Sequence, residues 1–130
     1  MSDFSSARSI SASGMAAQAQ RLRHLSENIS NADTPGYRRK LVSFEAAMRQ
    51  TDAVSPVQVG RVRLDQSELE RIFDPTNPLS DETGHHDGSN VDMLIELSDA
   101  REAQRSYEAN LKMFDQARKM SSSLMQLLRR

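Results

Sequence analysis

The sequence holds no cysteine and no tryptophan. Without cysteine there is no disulfide, no thiolate metal ligand and no cysteine nucleophile. Two tyrosines and four phenylalanines are the whole aromatic complement, and 37 % of the 130 residues are hydrophobic. That limits the chain to one domain with a lean core. No run of about 18 apolar residues occurs, so no membrane-spanning helix is expected. A basic excess is missing as well: net charge is −1 overall, with 0 in residues 1–36, −2 in 37–90 and +1 in 91–130. Phosphate backbones are bound through such an excess, so nucleic acid is not an expected partner. Residues 1–20 are rich in Ser, Ala and Gln and show no basic start followed by an apolar stretch. No signal peptide is expected, which by itself reads as cytoplasmic.

What is present is periodicity. Met15, Leu22 and Ile29 stand seven apart, with Gln18, Leu25 and Ala32 interleaved. This is an a/d seam of heptad type, and it predicts a helix over residues 3–32 that packs along a partner helix. Ser2 or Asp3 can cap its start. The seam stops at Thr34-Pro35-Gly36. Proline fixes φ at the first corner of a turn and glycine accepts positive φ at the second. The first half of the helix is small and polar: Ser5, Ser6, Ser9, Ser11, Ala12, Ser13, Gly14, Ala16 and Ala17. Two readings fit it, close approach by another backbone or a loosely ordered N-terminus in the isolated chain.

Residues 90–128 predict a second long helix, with Ser89 and Asp92 as a start resembling a capping box. Leu97, Ala100, Tyr107, Leu111 and Phe114 follow one seam; Met113, Ala117, Met120, Leu124 and Leu127 form a second stripe beside it. Two adjacent stripes imply more than one neighbour. Glu108–Lys112 and Asp115–Lys119 are i,i+4 pairs in the favoured order. Between the helices, Tyr37–Phe44 and Val57–Leu64 are candidate strands, with a slip at Gly60 that suggests a bulge or turn. A helical turn is expected around Glu45–Gln50. From Phe73 to Ser89 the breakers Asp74-Pro75, Asn77-Pro78, Glu82-Thr83-Gly84 and Asp87-Gly88 read as loop.

Candidate chemistry is sparse. His85-His86-Asp87 is one cluster of metal-ligating types, and the third histidine, His24, lies on the first helix. Zinc needs three or four converging ligands, so the cluster reads as a polar loop tip. Arg38-Arg39-Lys40 has no glycine-rich loop beside it and reads as a salt-bridge patch between subunits. No Gly-x-Ser-x-Gly or other nucleophile motif surrounds the serines. No catalytic residue, metal or cofactor is expected.

Several stretches carry a resemblance. Ser11-Ala12-Ser13-Gly14-Met15, the run from Ser26 to Tyr37 and the following Arg38-Arg39-Lys40 resemble the N-terminal signature of the flagellar rod, hook and filament axial proteins, whose motif positions here are Asn28, Asn31, Ala32, Thr34, Gly36 and Tyr37. Asn90 to Glu96 and Arg105 to Leu111 are similar to the C-terminal helix of the proximal rod subunits. Phe73-Asp74-Pro75-Thr76-Asn77-Pro78 is similar to their Tyr-Asp-Pro-x-His-Pro loop, with Phe73 and Asn77 as departures, and His85-His86 departs too.

The residues alone predict a mainly α fold: two long terminal helices in an antiparallel coiled-coil-like pair, residues 1–36 and 90–130, around a small β-containing insert, 37–89. Met15, Leu22, Leu25, Ile29, Leu97, Tyr107, Leu111, Phe114, Met120 and Leu124 are the expected packing residues between helices and subunits. One face of each helix is left for neighbours, so the terminal segments are expected to fluctuate in the free monomer. The resemblance implies a structural subunit of the proximal rod in the flagellar basal body, polymerised into a hollow axial structure that crosses the periplasm and transmits torque. It implies partners among its own copies, other rod proteins and the flagellar type III export apparatus, and export without a cleaved signal. A soluble coiled-coil adaptor or secretion chaperone is the alternative from the residues, and a small metal- or phosphate-binding enzyme a more distant one.

Overall fold

The small residues of the first helix set how the chain packs. A computed structural model describes residues 2–46 and 56–129. Helix α1, Ser2–Ser30, lies against helix α2, Met93–Leu128. The pair runs antiparallel: Asn28 meets Glu96, Arg21 faces Asp99 and Glu102, and Gly14 abuts Asn110. The buried line on α1 is Ser11, Gly14, Ala17, Leu25 and Asn28. It is rotated from the expected seam, sharing Leu25 and leaving Met15, Leu22 and Ile29 half-buried at its flank. The reason is steric. A Cβ built on Gly14 would stand 2.6 Å from Asn110 Oδ1, so the Asn110 side chain seats where α1 has no side chain of its own. The element packed against the Ser/Ala/Gly half is α2, whose Asn110 side chain sits on Gly14.

On α2 the buried residues are Glu96, Ala103 and Ala117, with Asn110 and Leu124 completing the seven-residue spacing at intermediate burial. Tyr107 and Phe114 are half-buried as well, whereas Leu97, Leu111 and Met120 are about half exposed. Asp92, with extended φ −103 and ψ 111, caps the helix by accepting from Leu94 N at 3.0 Å. Ser89 does not cap it; its hydroxyl donates to the Ala32 carbonyl instead. The Asp115–Lys119 pair forms at 2.9 Å, but Glu108–Lys112 is not among the ion pairs of the described residues. No helix among those residues is long and apolar enough to cross a membrane.

Among the described residues, six short strands in three antiparallel pairs run between the helices. β1, Lys40–Leu41, pairs with β4, Arg63–Leu64; β2, Phe44–Ala46, pairs with β3, Val57–Val59. Two residues, 42–43, stand opposite three, 60–62, between these ladders. One extra residue on one side is a bulge, and it falls where the alternation slips at Gly60. Gly60 N donates to Ser43 O at 2.7 Å across it. Val57 N donates to Ser13 Oγ, which seats this ladder on α1. The helical turn expected at Glu45–Gln50 is replaced by strand at Phe44–Ala46, and residues 47–50 lie outside the described residues. The third pair, β5 Arg71–Phe73 with β6 His85–Asp87, corrects the loop reading of Phe73–Ser89. Three-residue strands of mixed polarity carry no alternation strong enough to outweigh the breakers around them.

Candidate assembly interface and its latch

The end of the molecule where α1 stops and α2 starts is held by buried polar groups. The Thr34-Pro35-Gly36-Tyr37 turn closes with Tyr37 N donating to Thr34 O at 3.2 Å, and Gly36 has φ +75. Proline at the first corner and positive-φ glycine at the second are the type II pattern. This turn folds the chain back so that the Tyr37 hydroxyl donates to Asn28 Oδ1 at 2.9 Å. Lys40 N donates to the same oxygen at 2.8 Å, while Asn28 Nδ2 donates to Lys40 O and to Glu96 Oε2. Asn28 and Glu96 are the largest fully buried side chains.

Glu96 is balanced by Arg39, whose Nε donates to Oε1 at 2.6 Å. The same guanidinium lies 3.5 Å from Asp65 and 3.9 Å from Asp99. Arg39 N donates to Asn90 Oδ1 at 2.7 Å, and Asn90 Nδ2 donates to Asp65 O. Lys40 Nζ meets Glu27, and Arg38 donates to the carbonyls of Asp65 and Ser67. The basic triplet is therefore used inside the chain, correcting its reading as a patch between subunits. Burial raises the Tyr37 phenol above its ordinary pKa and keeps it a neutral donor. The bond from Ser67 N lowers Asp65, with Arg39 adding to it; Lys40 does the same for Glu27.

Each family-motif residue has a place here. Asn31 donates to Glu27 O at the helix end, and Thr34 donates to Asn31 Oδ1. Ala32 O takes the Ser89 hydroxyl, and Gly36 N donates to Gly88 O at 3.0 Å, joining the turn to β6. Sequence reasoning identified the motif but not its counterparts Arg39, Asn90 and Glu96. The available signal was the spacing of Glu96, seven residues before Ala103 on the packed side of α2.

Among the described residues, the opposite end has no such ties. Phe4, Ala7, Met113, Ala117 and Met120 line an open groove of about 460 Å³, rimmed by Lys112 and Gln116. A second groove of about 440 Å³ continues past Lys119 to Leu124 and Leu127. Met113 is 64 %, Met120 47 % and Leu127 66 % exposed, so three of the second stripe's five residues are uncovered. Elsewhere, His85 is in a strand rather than a loop tip, its ring tilted 57° to that of Phe73 with centroids 5.0 Å apart, and His86 beside it is buried. No group of three metal-ligating side chains converges among the described residues.

A model of the flagella basal body rod protein family matches residues 9–38, and one of the flagellar basal body rod FlgEFG protein C-terminal region matches residues 82–127. The flagellar basal-body rod protein FlgC of Agrobacterium fabrum is 41 % identical over an alignment of 136 residues, covering 99 % of this chain and 98 % of that protein. The chain belongs to the FlgC family of flagellar basal-body rod proteins. FlgC of Salmonella typhimurium is 32 % identical across 85 % of this chain and 87 % of its own; that of Bacillus subtilis is 31 % identical across 78 % and 83 %. Membership makes the chain a structural component of the basal-body rod and not an enzyme. The two segments matched by these rod-protein models contain most of the latch, including Asn28, Tyr37, Asn90 and Glu96, whereas Arg39, Lys40 and Asp65 lie between them.

Proposed function

We propose that this chain is a subunit of the proximal rod that polymerises through its terminal helices into a hollow axial structure crossing the periplasm and transmitting torque. Residues 1–36 and 90–130 act as the assembly domain, and 37–89 as an insert that ties it together. The α1–α2 pair extends into coiled-coil-like packing with helices of neighbouring subunits. Its partners are its own copies and other rod proteins, and it leaves the cytoplasm through the flagellar type III apparatus without a cleaved signal.

One observation carries the reading: Met113, Met120 and Leu127 of the second stripe are exposed although they border a packed helix seam. Apolar faces of that kind are covered in a working assembly. Met15, Leu22, Ile29, Leu97 and Leu111, half-buried or exposed in the single chain, are available for the same packing. The test is a chain carrying Met120→Asp and Leu127→Asp in a bacterium that swims only with this gene. The expected result is exported protein that is absent from purified basal bodies. Normal incorporation and swimming would overturn the proposal.

A further inference from the structure

The two ends of the molecule carry opposite charge. Residues 68–87, the β5–β6 hairpin and its approach, hold six carboxylates against one arginine. Arg71 is engaged by Asp81 and Asp87, so Glu68, Glu70, Asp74 and Glu82 have no cationic side-chain partner among the described residues. The hairpin also presents Phe73 and Leu79, each 65 % exposed. Residues 112–129, the last part of α2 and its C-cap, hold four basic side chains against Asp115 alone, and Asp115 already pairs with Arg118 and Lys119. The groove beside them is apolar, lined by Phe4, Ala7, Met113, Ala117 and Met120, with Lys112 at its rim.

These surfaces complement each other but do not meet within one chain. The hairpin is attached at the latch, where Gly36 N donates to Gly88 O and Ser89 bonds Ala32. The groove is some 24 residues further along α2 from Glu96, about 36 Å at 1.5 Å per residue. No hairpin residue lines the groove. We propose that the acidic, apolar-tipped β5–β6 hairpin of one copy docks on the basic groove at the far end of α2 in a second copy. Phe73 and Leu79 enter the groove while Glu70 and Glu82 face Lys112 and Lys119. The contact joins two different patches, so it is heterologous and propagates from copy to copy. It rests on the polymerisation reading and supplies that reading with one specific contact.

The absence of native cysteine makes the test direct. Two versions of the chain, Leu79→Cys and Gln116→Cys, are expressed together as the sole source of the protein, and purified basal bodies are treated with a short bismaleimide. The expected product is a covalent dimer containing one of each version. Leu79→Cys paired with Ser98→Cys, near the latched end of α2, yields none. Both versions recovered in basal bodies without the mixed dimer overturn the docking and leave rod incorporation intact. A native chain absent from basal bodies overturns the proposed function as well. Charge reversal provides a second measurement. Glu70→Lys with Glu82→Lys, or Lys112→Glu with Lys119→Glu, is expected to lose incorporation, and all four changes in one chain restore it. A fourfold variant as defective as either pair overturns the inference.

Discussion

The latched end and the open end of the helix pair are built from the same two helices by opposite means. At the latch, buried Asn28 and Glu96 and half-buried Tyr37 and Arg39 are polar groups whose hydrogen bonds are made within the chain. At the open end, Met113, Met120 and Leu127 are exposed apolar groups beside half-buried Phe4. Buried polar networks require fixed geometry, because an unmet partner is costly, whereas apolar surface accepts any well-shaped neighbour. The difference teaches a division of labour. In the proposed assembly, one end would fix the subunit's shape beforehand, and the other would leave energy to be gained on assembly.

The largest expected effect comes from breaking the latch. Glu96→Ala leaves the Arg39 guanidinium and Asn28 Nδ2 without their shared buried acceptor, and breaking a buried pair costs about 3–5 kcal/mol. Urea unfolding of the monomer should show that loss. A change within 1 kcal/mol would mean the latch does not hold the helices together. Next is the seam that joins the two ends. Gly14→Val drives a side chain into Asn110, an overpacking expected to cost about 1–3 kcal/mol. Adding Asn110→Ala should recover most of it, a coupling that a double-mutant cycle measures.

Acid should then separate the ends without any mutation. Glu27 and Asp65 are held below their ordinary values of 4.5 and 3.8, by Lys40 and by Ser67 N respectively. A carboxylate lowered by folding contributes stability that is complete above its unfolded pKa and is lost as pH falls through the folded one. The latch should therefore loosen as pH drops below about 4.5. At the open end, lowered Asp115 pairs only within α2, so its loss breaks no tertiary tie. Backbone amide NMR from pH 6 to 3 reads this as shifts concentrated around residues 27–40. The smallest effect on the free chain is expected at the exposed stripe. Leu127→Ser should change monomer stability by no more than about 0.5 kcal/mol, measured by the same urea titration.

This contrast also explains what could be read from the sequence. Helix limits came within three residues, because heptad spacing, the Pro35-Gly36 turn and the residues before Met93 are local signals. The bulge was legible too, since alternation breaks at Gly60. The α1 seam was read one step around the helix because large side chains were weighted over Ser11, Gly14 and Ala17, which allow the closest approach. The latch was largely illegible. A glutamate in a helix reads as solvated, and what buries Glu96 is an arginine 57 positions earlier. Likewise β5–β6 pairs residues too short and polar to announce a strand.

The central claim is that one end is fixed in the subunit and the other is completed only by neighbours. Hydrogen exchange along both helices of the purified monomer tests it most directly, because opening energies range from near zero to the global value within one structure. The account predicts strong protection for residues 22–30 and 96–106, and fast exchange for 3–12 and 116–128 that slows in assembled rods. Equal protection along the full length of α1 and α2 in the dilute monomer would contradict it.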